Sequence, residues 1–175
     1  MIPHAEWLER LQAALEHSGA DGQAAIRYIR SRQIQLRIRQ QPGGARWTLW
    51  RRIEIHPRYL QDSPGAPYVM SLVVHEVRHL QQGPVSALSV YGELDAWRVQ
   101  FNFLRQVRAE FPGTPAQRGA LEQLLALTMD WDRGRLVTAR QLMREYGGSR
   151  YRVDLLPLYP LPYELAYLLT GRPPA

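Results

Sequence analysis

The chain has 175 residues, a length that suits one domain with a core of its own. It contains no cysteine, which excludes disulfides and thiolate metal sites, so any metal must be held by His, Asp or Glu. The formal charge is +6, but the sequence has no lysine, and its 22 arginines are scattered, with Arg51 and Arg52 as the one adjacent pair. Scattered charge is typical of a solvated surface, and we therefore do not expect nucleic acid to be the main partner.

The chain shows no targeting or membrane-spanning signal. No run approaches the ~20 apolar residues that a membrane span needs, and the N-terminus lacks the basic start and apolar stretch of a signal peptide. The absence of cysteine fits a reducing compartment. We expect a cytoplasmic protein with no membrane partner.

The N-terminal part changes from helical to strand periodicity. Apolar residues at helical spacing predict helices over 4–18 and 21–32. Apolar and polar residues alternate strictly over 33–39, and they alternate again over 46–56 with an interruption at Arg51, so both runs are predicted to be strands. Because a Pro-Gly-Gly turn lies between these two runs, we expect them to form an antiparallel hairpin.

The rest of the chain is predicted to be mainly helical. The predicted helices cover residues 68–82, residues 86 or 89 to 111, and residues 115–130, 134–146 and 163–169. Gly83 and Pro84 should end the first of these, since glycine suits a left-handed cap and proline cannot continue a helix. Residues 155–162 read as an apolar, proline-rich extended segment. We predict one helix-dominated α+β domain over residues 1–175 with a small antiparallel sheet.

The predicted helix 68–82 carries His75, Glu76 and His79. Two histidines four residues apart point to the same side of a helix, where both imidazoles can bind one divalent ion at about 2.0–2.1 Å. Glu76 points beside the ion, where it can take a proton from a water activated by the metal and later deliver one to a leaving amine. The spacing indicates a Zn²⁺-dependent hydrolase. The alternative is a surface helix that carries these residues in a chance order.

The run His75-Glu76-Val77-Arg78-His79 resembles the signature of the zincin metallopeptidases, whose core is a small sheet, an active-site helix and a second helix behind it. The resemblance spans residues 72–100 and implies a third metal ligand downstream of the motif. The metzincin subgroup would require Gly and His where this chain has Gln82 and Val85, and no histidine follows His79. The resemblance therefore implies a carboxylate as the third ligand.

Two carboxylates, Glu93 and Asp95, follow at a suitable distance along the chain. They are separated by about 200° around a helix, so both cannot face one metal ion. The run Glu93-Leu94-Asp95-Ala96 resembles the Glu-x-x-Ala form on the ligand helix of gluzincins, which implies Glu93 as the third ligand. Asp95, which has Arg98 as an ordinary surface partner, is the alternative ligand. A pair of surface carboxylates with no metal is the remaining interpretation.

The resemblance implies further roles beyond the ligands. Zincins polarise the substrate carbonyl with a Tyr, His or Arg from beyond the ligand helix. The candidates by position are Tyr146, Tyr151, Tyr159 and Tyr163. Nothing in the sequence separates them from core tyrosines, which are the commoner case. His56 is a candidate for the edge of the cleft, but it is more simply explained as the cap of a strand end. Gln82, seven residues after His75, is a candidate hydrogen-bond donor behind the ligands.

The run 46–56 could bind an extended substrate along its edge, with Thr48, Arg52 and Glu54 exposed.

The sequence thus predicts a zinc metallopeptidase that acts on a peptide or protein substrate, with Zn²⁺ bound by His75, His79 and Glu93 and with Glu76 as general base. One alternative is a binding or regulatory module of the same fold with a structural or weakly active metal site. Another is a nucleic-acid-associated protease. The segment that begins at Leu155 could also cover the cleft. The sequence makes no prediction of the oligomeric state.

Overall fold

The computed structural model describes residues 2–148 and 151–172. Within these ranges the helices are α1 (His4–Glu16), α2 (Ala20–Ser31), α3 (Pro67–Ala87), α4 (Val90–Gln106), α5 (Pro115–Ala126), α6 (Arg133–Gly147) and α7 (Leu161–Thr170). The strands are β1 (Gln35–Ile38), β2 (Ala45–Thr48) and β3 (Arg52–Ile55). The predicted helix-dominated α+β class is confirmed. No helix among the described residues has the length and apolar content that a membrane crossing requires.

The chain divides into two compact units, each made of two segments. The first unit comprises Met1–Gln81 and Val99–Glu110, and the second comprises Gln82–Arg98 and Phe111–Ala175. Helix α4 contributes residues to both units. The assignment of residues 1–175 to one domain stays a prediction.

The core of the first unit begins with α1 and α2. Trp7, Leu11 and Leu15 follow one another at intervals of four residues, and all three are buried, as the helical periodicity predicts. Ile26 and Ile29 form the buried face of α2. The indole N–H of Trp7 donates to the carbonyl of Asp62 at 3.2 Å, so this buried ring has a partner for its polar atom.

The sheet of the first unit is mixed, with the strand order β1-β3-β2. Strand β1 pairs with β3 in parallel, and β2 pairs with β3 antiparallel. The antiparallel pairing predicted between the runs 33–39 and 46–56 is therefore wrong. The second run turns back on itself at Arg51, whose φ of +54° reverses the chain, so the tight hairpin lies inside that run. Its second half becomes the central strand, in which Ile53 and Ile55 are fully buried.

The prediction that Glu54 on β3 is exposed is wrong, because this residue is only 2% exposed. Its carboxylate accepts hydrogen bonds from Arg39 at 2.9 Å and from Arg46 at 2.7 Å. Burial alone would raise the pKa of this carboxyl, but the two guanidinium groups outweigh burial and lower the pKa below its ordinary value of 4.5. Thr48 and Arg52, also predicted to be exposed, are half-buried.

Helix α3 is interrupted near its end. Gly83 has a φ of +73° and a ψ of 164°, and a further turn after Pro84 runs to Ala87. A Cβ atom at Gly83 would meet no other atom within 4 Å, so the backbone conformation, rather than lack of space, favours glycine here. The predicted stop at Gly83 and Pro84 is thus a kink between a long helix and a short turn.

Helix α4 begins one residue after Ser89, the later of the two predicted starts. The hydroxyl of Ser89 accepts from the backbone N–H of Gly92 at 3.0 Å, as a helix N-cap does. The helix ends at Gln106 instead of Phe111, because Arg108 has a φ of +54° and the N–H of Ala109 returns to the carbonyl of Leu104 at 2.9 Å.

The second unit contains α5, α6, α7 and the first half of α4, and α5 packs against α6. The C-terminal extended segment belongs to its core, since Leu158 and Tyr159 are buried. The carbonyls of Pro157 and Leu158 accept from the N–H groups of Val90 and Tyr91 at 2.9 and 3.1 Å. These N–H groups lie in the first turn of α4, where a helix has no acceptors of its own. The extended segment therefore stabilises the start of α4.

Candidate metal centre

The three motif residues lie on a buried part of α3. His75 is 8% exposed, Glu76 is 6% exposed and His79 is 2% exposed, and the neighbouring Val73 and Val77 are buried as well. Burying ionisable side chains is costly unless they have partners or bind a metal. The alternative that places these residues on the surface is therefore wrong in that respect.

The imidazole rings of His75 and His79 face each other through their Nε2 atoms. Their Nε2 atoms are 2.9 Å apart, and the ring planes are nearly perpendicular, at 79°. Two ligands of a tetrahedral Zn²⁺ at 2.0–2.1 Å would have their nitrogens about 3.4 Å apart. The observed separation of 2.9 Å is about 0.5 Å shorter than that value.

Glu93 completes a group that could hold a metal ion. His75, His79 and Glu93 each offer one ligand atom, and these atoms all lie within 4.8 Å of one another. We call these three residues the ligand cluster. Two imidazoles and one carboxylate suit borderline divalent ions such as Zn²⁺, so the donor set fits the metal that the motif implies.

Asp95, the alternative third ligand, has a different contact. The amide Nε2 of Gln82 donates to Oδ2 of Asp95 at 2.7 Å and to the carbonyl of Gly92 at 2.9 Å. Gln82 was predicted as a donor behind the ligands. Its amide donates to Gly92, which precedes Glu93, and to Asp95, which follows Glu93 two residues later. Arg98, the expected partner of Asp95, donates to the carbonyl of Leu127. The choice of Glu93 over Asp95 thus agrees with the cluster.

Among the four candidate tyrosines, Tyr151 is the one that the structure places against the ligand cluster. Its hydroxyl donates to Oε2 of Glu93, and it accepts from Nε1 of Trp97 at 2.6 Å. The sequence could not single it out, because Tyr151 is 58 residues from Glu93 along the chain.

The other three tyrosines have other surroundings. The hydroxyl of Tyr146 donates to the carbonyl of Pro112 at 3.1 Å, and that of Tyr159 donates to the carbonyl of Trp131 at 2.8 Å. Tyr163 is 46% exposed. His56 accepts from the N–H of Arg58 at 3.0 Å and so caps the turn after β3, which confirms the simpler explanation for this histidine.

Glu76 is held by strand β2. The backbone N–H of Trp47 donates to its Oε2 at 2.8 Å. The indole ring of Trp47 lies 6.3 Å from the ring of His79. No sequence signal indicated that the backbone of Trp47 would bond the motif glutamate.

Comparison with known proteins gives no match: no protein-family model matches the chain, and neither curated proteins nor solved structures yield a significant match. A functional inference therefore depends on the chemistry of the described residues. Those residues place a glutamate and three candidate metal-binding side chains in buried or half-buried positions.

Proposed function

We propose that this protein is a zinc-dependent metallopeptidase. The observation that supports this proposal most strongly is the ligand cluster itself, whose donor atoms lie within 4.8 Å of one another while Glu76 follows His75 directly on the same helix. The resemblance of the motif to the zincin signature supports peptides as the substrate class.

The size of the ligand cluster favours a catalytic ion over a structural one. Structural zinc sites are closed by four protein ligands, whereas catalytic sites have three and keep one position for water or substrate. Among the described residues the group has three members. A purely structural or regulatory metal site is therefore the less favoured alternative.

In the proposed mechanism Glu76 moves the protons. A bound Zn²⁺ would supply Lewis acidity, which lowers the pKa of water and polarises a carbonyl. Glu76 would accept the proton of the attacking water and then deliver it to the leaving amine. The hydrogen bond from Trp47 holds one carboxylate oxygen of Glu76, so the proton acceptor is oriented before substrate binds.

Strand β2 provides an edge along which an extended peptide could bind. It lies at the end of the strand order, and its residues Ala45–Thr48 pair antiparallel with β3. Because the N–H of Trp47 bonds Glu76, the backbone groups of Ala45 and Trp47 point away from β3. A bound peptide would pair with Ala45 and with the carbonyl of Trp47.

The test begins with metal content and a matched pair of variants. Purified protein incubated with Zn²⁺ and freed of excess should retain about one zinc per chain, the stoichiometry of a single three-ligand site. Glu76→Gln should retain that zinc and lose hydrolysis of a peptide library. Glu9→Gln makes the same change at an exposed position on α1 and should leave both unchanged. A wild-type protein without stoichiometric zinc would contradict the proposal, as would full activity in Glu76→Gln.

A further inference from the structure

Glu93 belongs to a short chain of hydrogen bonds. Nε1 of Trp97 donates to the hydroxyl of Tyr151 at 2.6 Å, and that hydroxyl donates to Oε2 of Glu93. The direction of both bonds follows from the groups themselves, because an indole N–H can only donate. The tyrosine oxygen therefore accepts from Trp97, which directs the hydroxyl proton to the carboxylate.

The packing of Trp97 holds this chain in place. Glu93 and Trp97 are four residues apart on α4, so they lie on the same side of the helix and Tyr151 can reach both. Trp97 is 5% exposed, and its ring meets the rings of Tyr146 and Tyr151 edge to face, with centroids 5.3 and 5.2 Å away. A buried indole packed against two aromatic rings has little rotational freedom, which fixes the tyrosine hydroxyl.

We propose that Tyr151 is a positioning residue that orients Glu93 as a metal ligand, an inference that rests on the metal site proposed above. A carboxylate that accepts a hydrogen bond at one oxygen can still offer the other oxygen to a metal ion. The bond from Tyr151 restricts the orientations of the carboxylate before the ion binds. Partners of this kind typically change metal affinity by 10–100-fold.

The chain offers a matched control in Tyr146, which packs against the same indole ring but donates its hydroxyl to the carbonyl of Pro112. Zn²⁺ affinity would be measured by competition with a chromophoric chelator for wild type, Tyr151→Phe and Tyr146→Phe. Tyr151→Phe should bind Zn²⁺ about 10–100-fold more weakly than wild type. Tyr146→Phe should bind as wild type does. Equal affinities for the two variants would overturn the positioning role.

Two further readouts separate positioning from a general structural effect. The visible absorption of bound Co²⁺ depends on coordination number and geometry, so Tyr151→Phe should alter this spectrum and Tyr146→Phe should not. The melting temperature of the metal-free protein reports structure alone. A lower melting temperature for metal-free Tyr151→Phe, together with wild-type Zn²⁺ affinity and an unaltered Co²⁺ spectrum, would show that the tyrosine is merely structural and would overturn the inference.

The outcomes also distinguish this inference from the proposed function. If the wild-type protein binds no zinc, the metal site as a whole is contradicted. If the wild-type protein binds zinc and Tyr151→Phe binds it with the same affinity, only the positioning role is contradicted. If Tyr151→Phe does not fold, the inference is tested on the wild-type protein instead. The measurement is the indole N–H signal of Trp97 in a nuclear magnetic resonance spectrum. This signal should shift when Zn²⁺ is added to saturation, and a signal that does not move overturns the inference.

Discussion

The backbone N–H of Trp47 donates to the carboxylate of Glu76 at 2.8 Å, and the indole ring of the same residue lies 6.3 Å from the ring of His79. A single residue of the edge strand therefore contacts two residues of the motif on α3. The donor belongs to the backbone, so most substitutions at position 47 would leave it in place. The contact thus depends on where β2 lies rather than on which side chain it carries.

Proline at position 47 would remove this donor. The N–H of Trp47 points away from β3, so Trp47→Pro sacrifices no bond of the sheet, and edge strands tolerate proline. Trp47→Ala is the control, since it also loses the indole ring but keeps the N–H. We expect kcat/KM for peptide hydrolysis to be about 10–100-fold lower in Trp47→Pro than in Trp47→Ala, the effect of one hydrogen bond to a charged group. Equal values would show that the bond does not orient Glu76 for the proposed proton transfer.

The choice of third ligand is testable by alanine substitution of the two carboxylates on α4. Glu93→Ala should weaken Zn²⁺ binding by more than the roughly 10–100-fold caused by losing a ligand's hydrogen-bond partner, because a ligand itself is lost. Asp95→Ala removes the acceptor of Gln82 and should affect Zn²⁺ affinity much less. Chelator competition measures both. A larger loss in Asp95→Ala would reverse the assignment.

The part of the site that depends on local spacing could be predicted from the sequence. His75 and His79 lie one helical turn apart, and a helix brings such residues together whatever surrounds it. The contacts of Tyr151 with Glu93 and of Trp47 with Glu76 join residues 58 and 29 positions apart. No local pattern carries information about such contacts.

The errors in the predicted fold have a similar cause. Alternation correctly indicated the two strands within the run 46–56, but it could not reveal that Arg51 adopts a positive φ and that the chain turns between them. Once β3 occupies the centre, Glu54 is enclosed between Arg39 and Arg46. Its polar character alone had indicated an exposed position.

Glu54 should make the stability of the metal-free protein depend on pH. Its pKa in the folded state is below 4.5, so its ionised form stabilises the fold fully above the ordinary pKa, and this contribution is lost as the pH falls through the lowered value. At pH 7, Glu54→Gln should lower the free energy of unfolding by about 1–3 kcal/mol, because it replaces two charge-assisted hydrogen bonds.

Urea unfolding in the presence of a chelator would measure this contribution. The difference between wild type and Glu54→Gln should shrink as the pH is lowered below 4.5, since the wild-type carboxyl then becomes neutral as well. Glu9→Gln, at an exposed position, should show no comparable loss at pH 7. A difference that stays constant between pH 7 and the acid range would contradict the role of the ionised carboxylate.

The kink in α3 can be tested by comparing alanine substitutions at two glycines, Gly83 and Gly119, which differ mainly in backbone conformation. A Cβ atom added at Gly83 or at Gly119 would meet no other atom within 4 Å, so neither position lacks space. Gly83 has a φ of +73°, where an L-residue is strained, whereas Gly119 lies within α5. Gly83→Ala should therefore lower the free energy of unfolding by about 1–2 kcal/mol. Gly119→Ala should raise it by about 0.5–1 kcal/mol, because alanine favours a helix interior. Urea unfolding would measure both, and effects of the same sign would show that the kink is not fixed by the conformation of Gly83.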